Sequence, residues 1–184
     1  KEYRRQRQMC IRDSLHTVPA SPWKNGAGTT RLLTEQPEWR LSVASITRPA
    51  PFSSFAGLFR QMGLLTGNGV RLLPVSGAPP LVLDQPGGVI RFSGDLPLTG
   101  APLDGPVDVL NLMRPANSTG PDLTAITPEN LPSDALLGFI AVDGYWDVTT
   151  KEQHYTLVPR DILLSEIPFK LTVLKAGQIA YAVT

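Results

Sequence analysis

The sequence predicts an all-β protein, a sandwich or barrel, and three observations carry that prediction. Short apolar runs recur along the chain, separated by turn chemistry at intervals of roughly 8 to 15 residues. Eighteen prolines and sixteen glycines supply that chemistry and leave little room for long helices. One arrangement of strands also occurs twice: "LLTGNGVRLLP" with "PLVLDQPGGVIRFSG" matches "FIAVDGYWDVTT" with "HYTLVPRDILLSE" in its order of strand, tight turn, return strand, loop and two further strands. Two such units in one chain point to a duplicated barrel.

The elements follow in chain order. Residues 1–14, "KEYRRQRQMCIRDS", carry a local charge of +3 in a chain of net charge +1, so the remainder is mildly acidic. A segment so charged has little apolar surface to bury and reads as a disordered tail. Its "RQMCIRDS" also looks like a translated sequencing-adapter string, which would make the tail non-native. A nucleic-acid arm is the weaker reading, because Tyr3 is the one aromatic side chain in it for base stacking. The folded part is then 15–184, in two β halves of roughly 15–115 and 116–184. "SPWKNGAGTTR" (21–31) is a glycine-rich loop. Strands are expected at 39–46, 61–67, 69–75, 80–84, 88–94, 107–113, 136–144, 145–148, 154–158, 161–166, 169–174 and 179–184. Asn68-Gly69 and Asp143-Gly144 are the dipeptides that tight hairpins require. Short helical pieces are expected at 51–58 and after Thr127, where Pro128 suits a first helical position.

Composition excludes several classes of function. The chain is 42% hydrophobic and 18% charged, and its apolar runs fall far short of the ~20 residues a membrane helix needs. No membrane partner is expected. A single cysteine gives no internal disulfide, and the basic head lacks the apolar core of a secretory signal, so a cytoplasmic location is expected. His16 and His154 stand alone, which argues against a metal site, and no cofactor motif is present. Neither G-x-S-x-G nor G-x-x-x-x-G-K occurs, and "GAG" at 26–28 lacks the third glycine and preceding strand of a dinucleotide site. Asn117-Ser118-Thr119 fits the glycosylation sequon but reads as a plain loop. Asp84, Asp95 and Asp104 could meet as paired carboxylates, although sixteen acids make such pairs easy to imagine.

What remains is polar residues on apolar strands. Side chains alternate across a strand, so "WRLSVAS" places Trp39, Leu41 and Val43 on one face and Arg40, Ser42 and Ala44 on the other. By the same rule Arg60 shares a face with Met62 and Leu64, and Asn111 and Met113 share one with Val107 and Val109. Arg40 and Arg60 could simply point to solvent. Beside methionine, however, arginine and asparagine suit a largely apolar pocket whose few polar groups orient a small anion.

Five blocks now carry a family resemblance: "PWKNGAGTTR" (22–31), "WRLSVASI" (39–46), "PFSSFAGLFRQMGLLTGNGVRL" (51–72), "FSGD" (92–95) and "GPVDVLNLM" (105–113). In order and spacing they resemble the HutD/Ves family, strongly from about Pro22 to Met113 and weakly beyond. The resemblance implies a cupin-like β-barrel of the RmlC-like jelly-roll type, duplicated as a bicupin, without catalytic metal or cofactor. It also implies an association with histidine utilisation in bacteria and a pocket for a small carboxylate. The chain departs from the family pattern at Ala27, Leu32, Phe59 and Asp108-Val109, where a glycine and three polar groups are expected.

On these grounds the candidate ligand-binding residues are Trp23, Lys24, Asn25, Arg31, Arg40, Ser42, Arg60, Asn111 and Met113, with no catalytic residue among them. The loop around Asn25 would form a lip over the barrel mouth, Lys24 adding charge and Trp23 a rigid wall. Trp23 could instead plug the barrel end. The expected function is a metal-independent binding protein that modulates histidine utilisation; the alternative is a metal-free hydrolase or isomerase acting on a small carboxylate. The expected partner is that carboxylate, with a homodimer possible and nucleic acid excluded. Asp95 is the internal rival, since a protein carboxylate could pair with either arginine and make the site structural.

Overall fold

The computed structural model describes residues 11–151 and 153–184, which form eighteen strands and no helix. Residues 1–10, most of the expected tail, lie outside the described residues. The strands form four layers. The first half pairs a six-stranded sheet, in the order β2 (Ser21–Pro22), β3 (Gly28–Gln36), β4 (Trp39–Ile46), β11 (Val107–Pro115), β6 (Leu58–Thr66), β9 (Val89–Ser93), with a four-stranded sheet, β5 (Ala50–Pro51), β10 (Leu98–Pro102), β7 (Val70–Pro74), β8 (Leu81–Leu83). The second half pairs a five-stranded sheet, β1 (Ile11–Ser14), β16 (Asp161–Phe169), β13 (Leu136–Asp143), β18 (Ile179–Val183), β12 (Leu123–Ile126), with a three-stranded sheet, β15 (His154–Leu157), β14 (Trp146–Thr149), β17 (Thr172–Lys175).

Strand pairing recurs between the halves. Antiparallel pairs β6/β9, β7/β8, β7/β10 and β6/β11 in the first correspond to β13/β16, β14/β15, β14/β17 and β13/β18 in the second. Asn68-Gly69 and Asp143-Gly144 occupy matching places, but neither closes a hairpin. Each turn carries the chain out of a large sheet into the smaller one opposite. Local turn chemistry names a reversal and leaves the partner to long-range packing.

Three apolar cores follow from the alternation. One lies between the small and large sheets of the first half (Ile46, Met62, Leu64, Leu72, Phe92, Val107, Val109) and one inside the second half (Phe139, Trp146, Tyr155, Leu157, Leu163). The third holds the two large sheets together, with Trp39, Leu41, Val43, Leu110 and Leu112 facing Ile140, Ile162, Tyr181 and Val183. Tyr181 crosses this interface. Its hydroxyl donates to the carbonyls of Leu64 (3.1 Å) and Gly88 (2.8 Å). Its ring lies against Gly63, where an added Cβ would come within 2.7 Å. Burial pushes its phenol well above the usual tyrosine range. The buried Gln61 fastens the connection between halves, donating to Asp122 (2.7 Å) and accepting from the Leu123 amide (3.0 Å).

Three expectations need correction. The tail was drawn to Ser14, yet Ile11–Ser14 form β1, paired along their length with β16. The charge count that marked this segment misses that Arg12 has a partner, Asp161, buried at 5% exposure and 2.9 Å away. No helix forms at 51–58, because the Phe52 and Phe55 amides bond sideways to the carbonyls of Leu98 and Gly94. After Thr127 a single turn forms, closed by the Asn130 amide on the Thr127 carbonyl and by the Asn130 side chain on the Thr127 amide. Strands β2, β3, β5, β10 and β12 lie outside the expected set; their Gly, Ser, Thr and Pro residues hide the strand period.

Candidate functional site

The strands β4, β11 and β6 set a grid of side chains on the inner face of the large sheet. Register aligns Arg40, Met113 and Arg60 in one row and Ser42, Asn111 and Met62 in the next. Below them Ala44, Val109 and Leu64 begin the apolar core. The two upper rows form the floor of a cavity of about 460 Å³, with Pro51, Phe52, Ser53 and Phe55 opposite and Pro22 to Asn25 and Thr30 at the rim.

Arg60 dominates its electrostatics. Its side chain is 5% exposed, and its guanidinium lies 5.0 Å from the Phe92 ring centre, 5.1 Å from Phe55 and 5.7 Å from Phe52. Nη2 donates to Asn111 Oδ1 and Nη1 to the Ser53 carbonyl, both at 3.4 Å, while Nε has no acceptor. Among the described residues no carboxylate lies within ion-pair distance of it. Desolvation holds the guanidinium at about 10, so it stays charged at neutral pH. Asp95, the expected rival, accepts instead from the Gly57 amide (3.1 Å) and Ser93 Oγ (3.0 Å). A buried cation without an anion is costly unless something supplies one.

The rim is built by short-range chemistry. Asn25 Oδ1 accepts from the Ala27 amide (3.0 Å), Gly26 takes a left-handed φ of 66°, and Arg48 donates to the Asn25 carbonyl (2.8 Å). Trp23 is a wall: its indole donates to Thr30 Oγ1 (2.8 Å) and its ring meets Phe52 edge-on at 5.8 Å. Lys24 is exposed at the mouth.

Eight of the nine candidate residues therefore line one cavity: Trp23, Lys24, Asn25, Arg40, Ser42, Arg60, Asn111 and Met113. Arg31 does not. It lies on β3 beside Thr30, which lines the cavity, so strand alternation turns it to the opposite face, where it reaches Ser45 Oγ at 3.4 Å. Reading 21–31 as a loop hid that alternation. Thr30, Phe52, Ser53, Phe55 and Met62 were missed; Met62 could have been found from its spacing to Arg60, the phenylalanines only by abandoning a helix. None of the positions that depart from the family pattern lines the cavity. Ala27 is buried, Leu32 is 41% exposed, Phe59 stacks on Arg114 at 4.8 Å, and Asp108 pairs with Arg160.

The lining contains no histidine, cysteine or carboxylate, and among the described residues no group of three or more such side chains gathers to hold a metal. In the second half the space between the sheets is filled by Phe139 and Trp146, edge-on at 5.3 Å.

A barrel half with an open, strand-lined cavity, set beside a half of matching strand pairing, defines a cupin-type β-barrel protein. The cupin 2 conserved barrel domain protein from Leptotrichia buccalis shares this fold, with a TM-score of 0.62 at 10% identity over 94% of both chains. HutD from Pseudomonas fluorescens SBW25, solved in a formate condition, gives a TM-score of 0.73 at 22% identity, covering 96% of this chain and 98% of its own. The HutD family profile matches residues 15–181, and the chain belongs to the HutD family. It is 38% identical over 102 residues to an uncharacterized 21.2 kDa protein in the hutC 3' region of Pseudomonas putida, covering 52% of this chain and 53% of that one. It is 34% identical over 107 residues to protein Ves of Citrobacter koseri, covering 54% of each. The chain thus spans about half the length of the curated relatives it matches.

Proposed function

We propose that the chain is a metal-independent binding protein for a small carboxylate and that ligand binding modulates histidine utilisation. The observation that carries the reading is Arg60: a buried, charged guanidinium facing a cavity, with no carboxylate against it among the described residues. A bound carboxylate accepts from its free donor edge, and Asn111, Ser42 and Lys24 offer further hydrogen bonds. Phe52, Phe55, Met62 and Met113 exclude water around the pair, which strengthens it. Binding is favoured over catalysis because the lining holds no histidine, cysteine or carboxylate to move a proton or attack a substrate. The metabolic assignment rests on the family and on the hutC neighbourhood named for the P. putida relative. The test is a thermal-shift screen against formate, glutamate, urocanate and formylglutamate. A ligand at about 100 times its Kd adds ~2.7 kcal/mol, or roughly 5–10 °C for a chain of this size. Failure of all four to shift the melting temperature at concentrations up to 50-fold above millimolar would remove the reading; binding equally well to an Arg60→Met variant would misplace the site.

A further inference from the structure

A second cavity, of about 300 Å³, lies beside the first and shares Arg40, Phe55 and Met113 with it. Arg40 therefore stands in the wall between two spaces. On the far side are Glu35 and Glu38. Register places Glu35 directly across the strand pair from Arg40, and its Oε1 lies 4.0 Å from Arg40 Nη1, the one carboxylate within ion-pair distance of that guanidinium among the described residues. The contact is long and exposed, 36% for the Arg40 side chain and 60% for Glu35, while Arg40 Nε is buried and has no acceptor. Arg60 is fixed by three rings and two acceptors, whereas Arg40 is held by one loose partner on the side away from the carboxylate site.

We infer that Glu35 is an internal competitor that sets the affinity of the carboxylate site by drawing the Arg40 guanidinium toward the second cavity. This rests on the binding reading above. When a carboxylate enters the first cavity, Arg40 turns toward it and gives up Glu35; the exposed pair is weak enough for that exchange to be reversible. Arg60 supplies the standing affinity, and the Glu35 to Arg40 pair adjusts it. Glu35 touches no ligand and acts through Arg40.

Formate and formylglutamate, titrated separately and followed by the fluorescence of Trp23 and by isothermal calorimetry, provide the probes. Glu35→Gln is expected to tighten binding about two- to five-fold, the range of an exposed ion pair. Glu38→Gln, which removes the same charge from the same cavity but does not face Arg40 in register, is expected to leave affinity unchanged. In an Arg40→Met background binding is weaker and Glu35→Gln adds nothing. Unchanged affinity in Glu35→Gln overturns the inference, and so does an equal gain in Glu38→Gln, which would mark a general charge effect. A gain that survives in the Arg40→Met background also overturns it. Wild-type protein that binds neither probe removes the binding reading itself, a result distinct from these three.

Discussion

Replacing Arg60 by methionine keeps much of the side chain's length and removes its charge. Burial lowers the guanidinium to about 10, well below its usual range, which corresponds to a penalty on the charged form of ~3 kcal/mol. Three ring contacts at 5.0 to 5.7 Å offset much of that, on the order of 2–3 kcal/mol together. Its two hydrogen bonds, at 3.4 Å, are too long to add much. The unliganded Arg60→Met protein is therefore expected to be as stable as the parent or more stable by about 1 kcal/mol, a rise of roughly 2–4 °C. Arginine is charged in both folded and unfolded chains at neutral pH, so this gain is flat between pH 6 and 8. Differential scanning fluorimetry with and without formylglutamate measures both quantities: an unchanged or higher unliganded melting temperature, and loss of the ligand-induced shift. A melting temperature that falls by 5 °C or more would show that Arg60 is a structural element satisfied within the protein, and the argument from its missing anion would collapse.

Other consequences are open to equally direct tests. Gly100→Ala places a Cβ within 2.1 Å of the Phe52 ring, so the ring must leave Arg60; the variant is expected to fold with ~1–3 kcal/mol less stability and to bind carboxylate about five-fold more weakly by calorimetry. The Tyr181 phenol is raised in the folded state, so the unfolded chain loses that proton first and stability falls as pH rises above ~10; urea unfolding at pH 8 and pH 10.5 is expected to show a smaller alkaline loss in Tyr181→Phe. Deleting residues 1–14 removes β1 and leaves Asp161 buried without Arg12, and the truncated protein is expected to melt several degrees lower, whereas an unchanged melting temperature would mean that β1 contributes nothing.

Much of the site was legible because strand alternation is a local property. "WRLSVASI" alone separates Leu41 and Val43, which pack between the large sheets, from Arg40 and Ser42, which face the cavity. The same rule placed Arg60 with Met62 and Asn111 with Met113. Which strand lies beside which was not legible. Asn68-Gly69 reads as a hairpin from its own chemistry, and only the packing of β6 against β11 and β9 sends β7 into another sheet. Arg31 was misplaced because Gly28 and two threonines made the first part of β3 look like the end of a loop. The aromatic wall opposite the floor was lost to a helix reading: Phe52 and Phe55 have helical spacing, but their amides are taken by Leu98 and Gly94, far along the chain. Arg12 was lost because a charge total ignores a partner 149 residues away.

That distance has a bearing on how the molecule is made. Emerging from the ribosome at about 5–20 residues per second, Ile11–Ser14 wait on the order of 10 to 30 seconds before Asp161–Leu164 exist to receive them. The first half can assemble its own two sheets in that interval, but β1 has no partner to dock on until β16 has been made. Its arrival covers Asp161–Leu164 on the outer edge of β16, where an uncovered row of amides and carbonyls would invite pairing between nascent chains. Docking of β1 thus acts as a completion step, closing part of that edge once the later half has been synthesised.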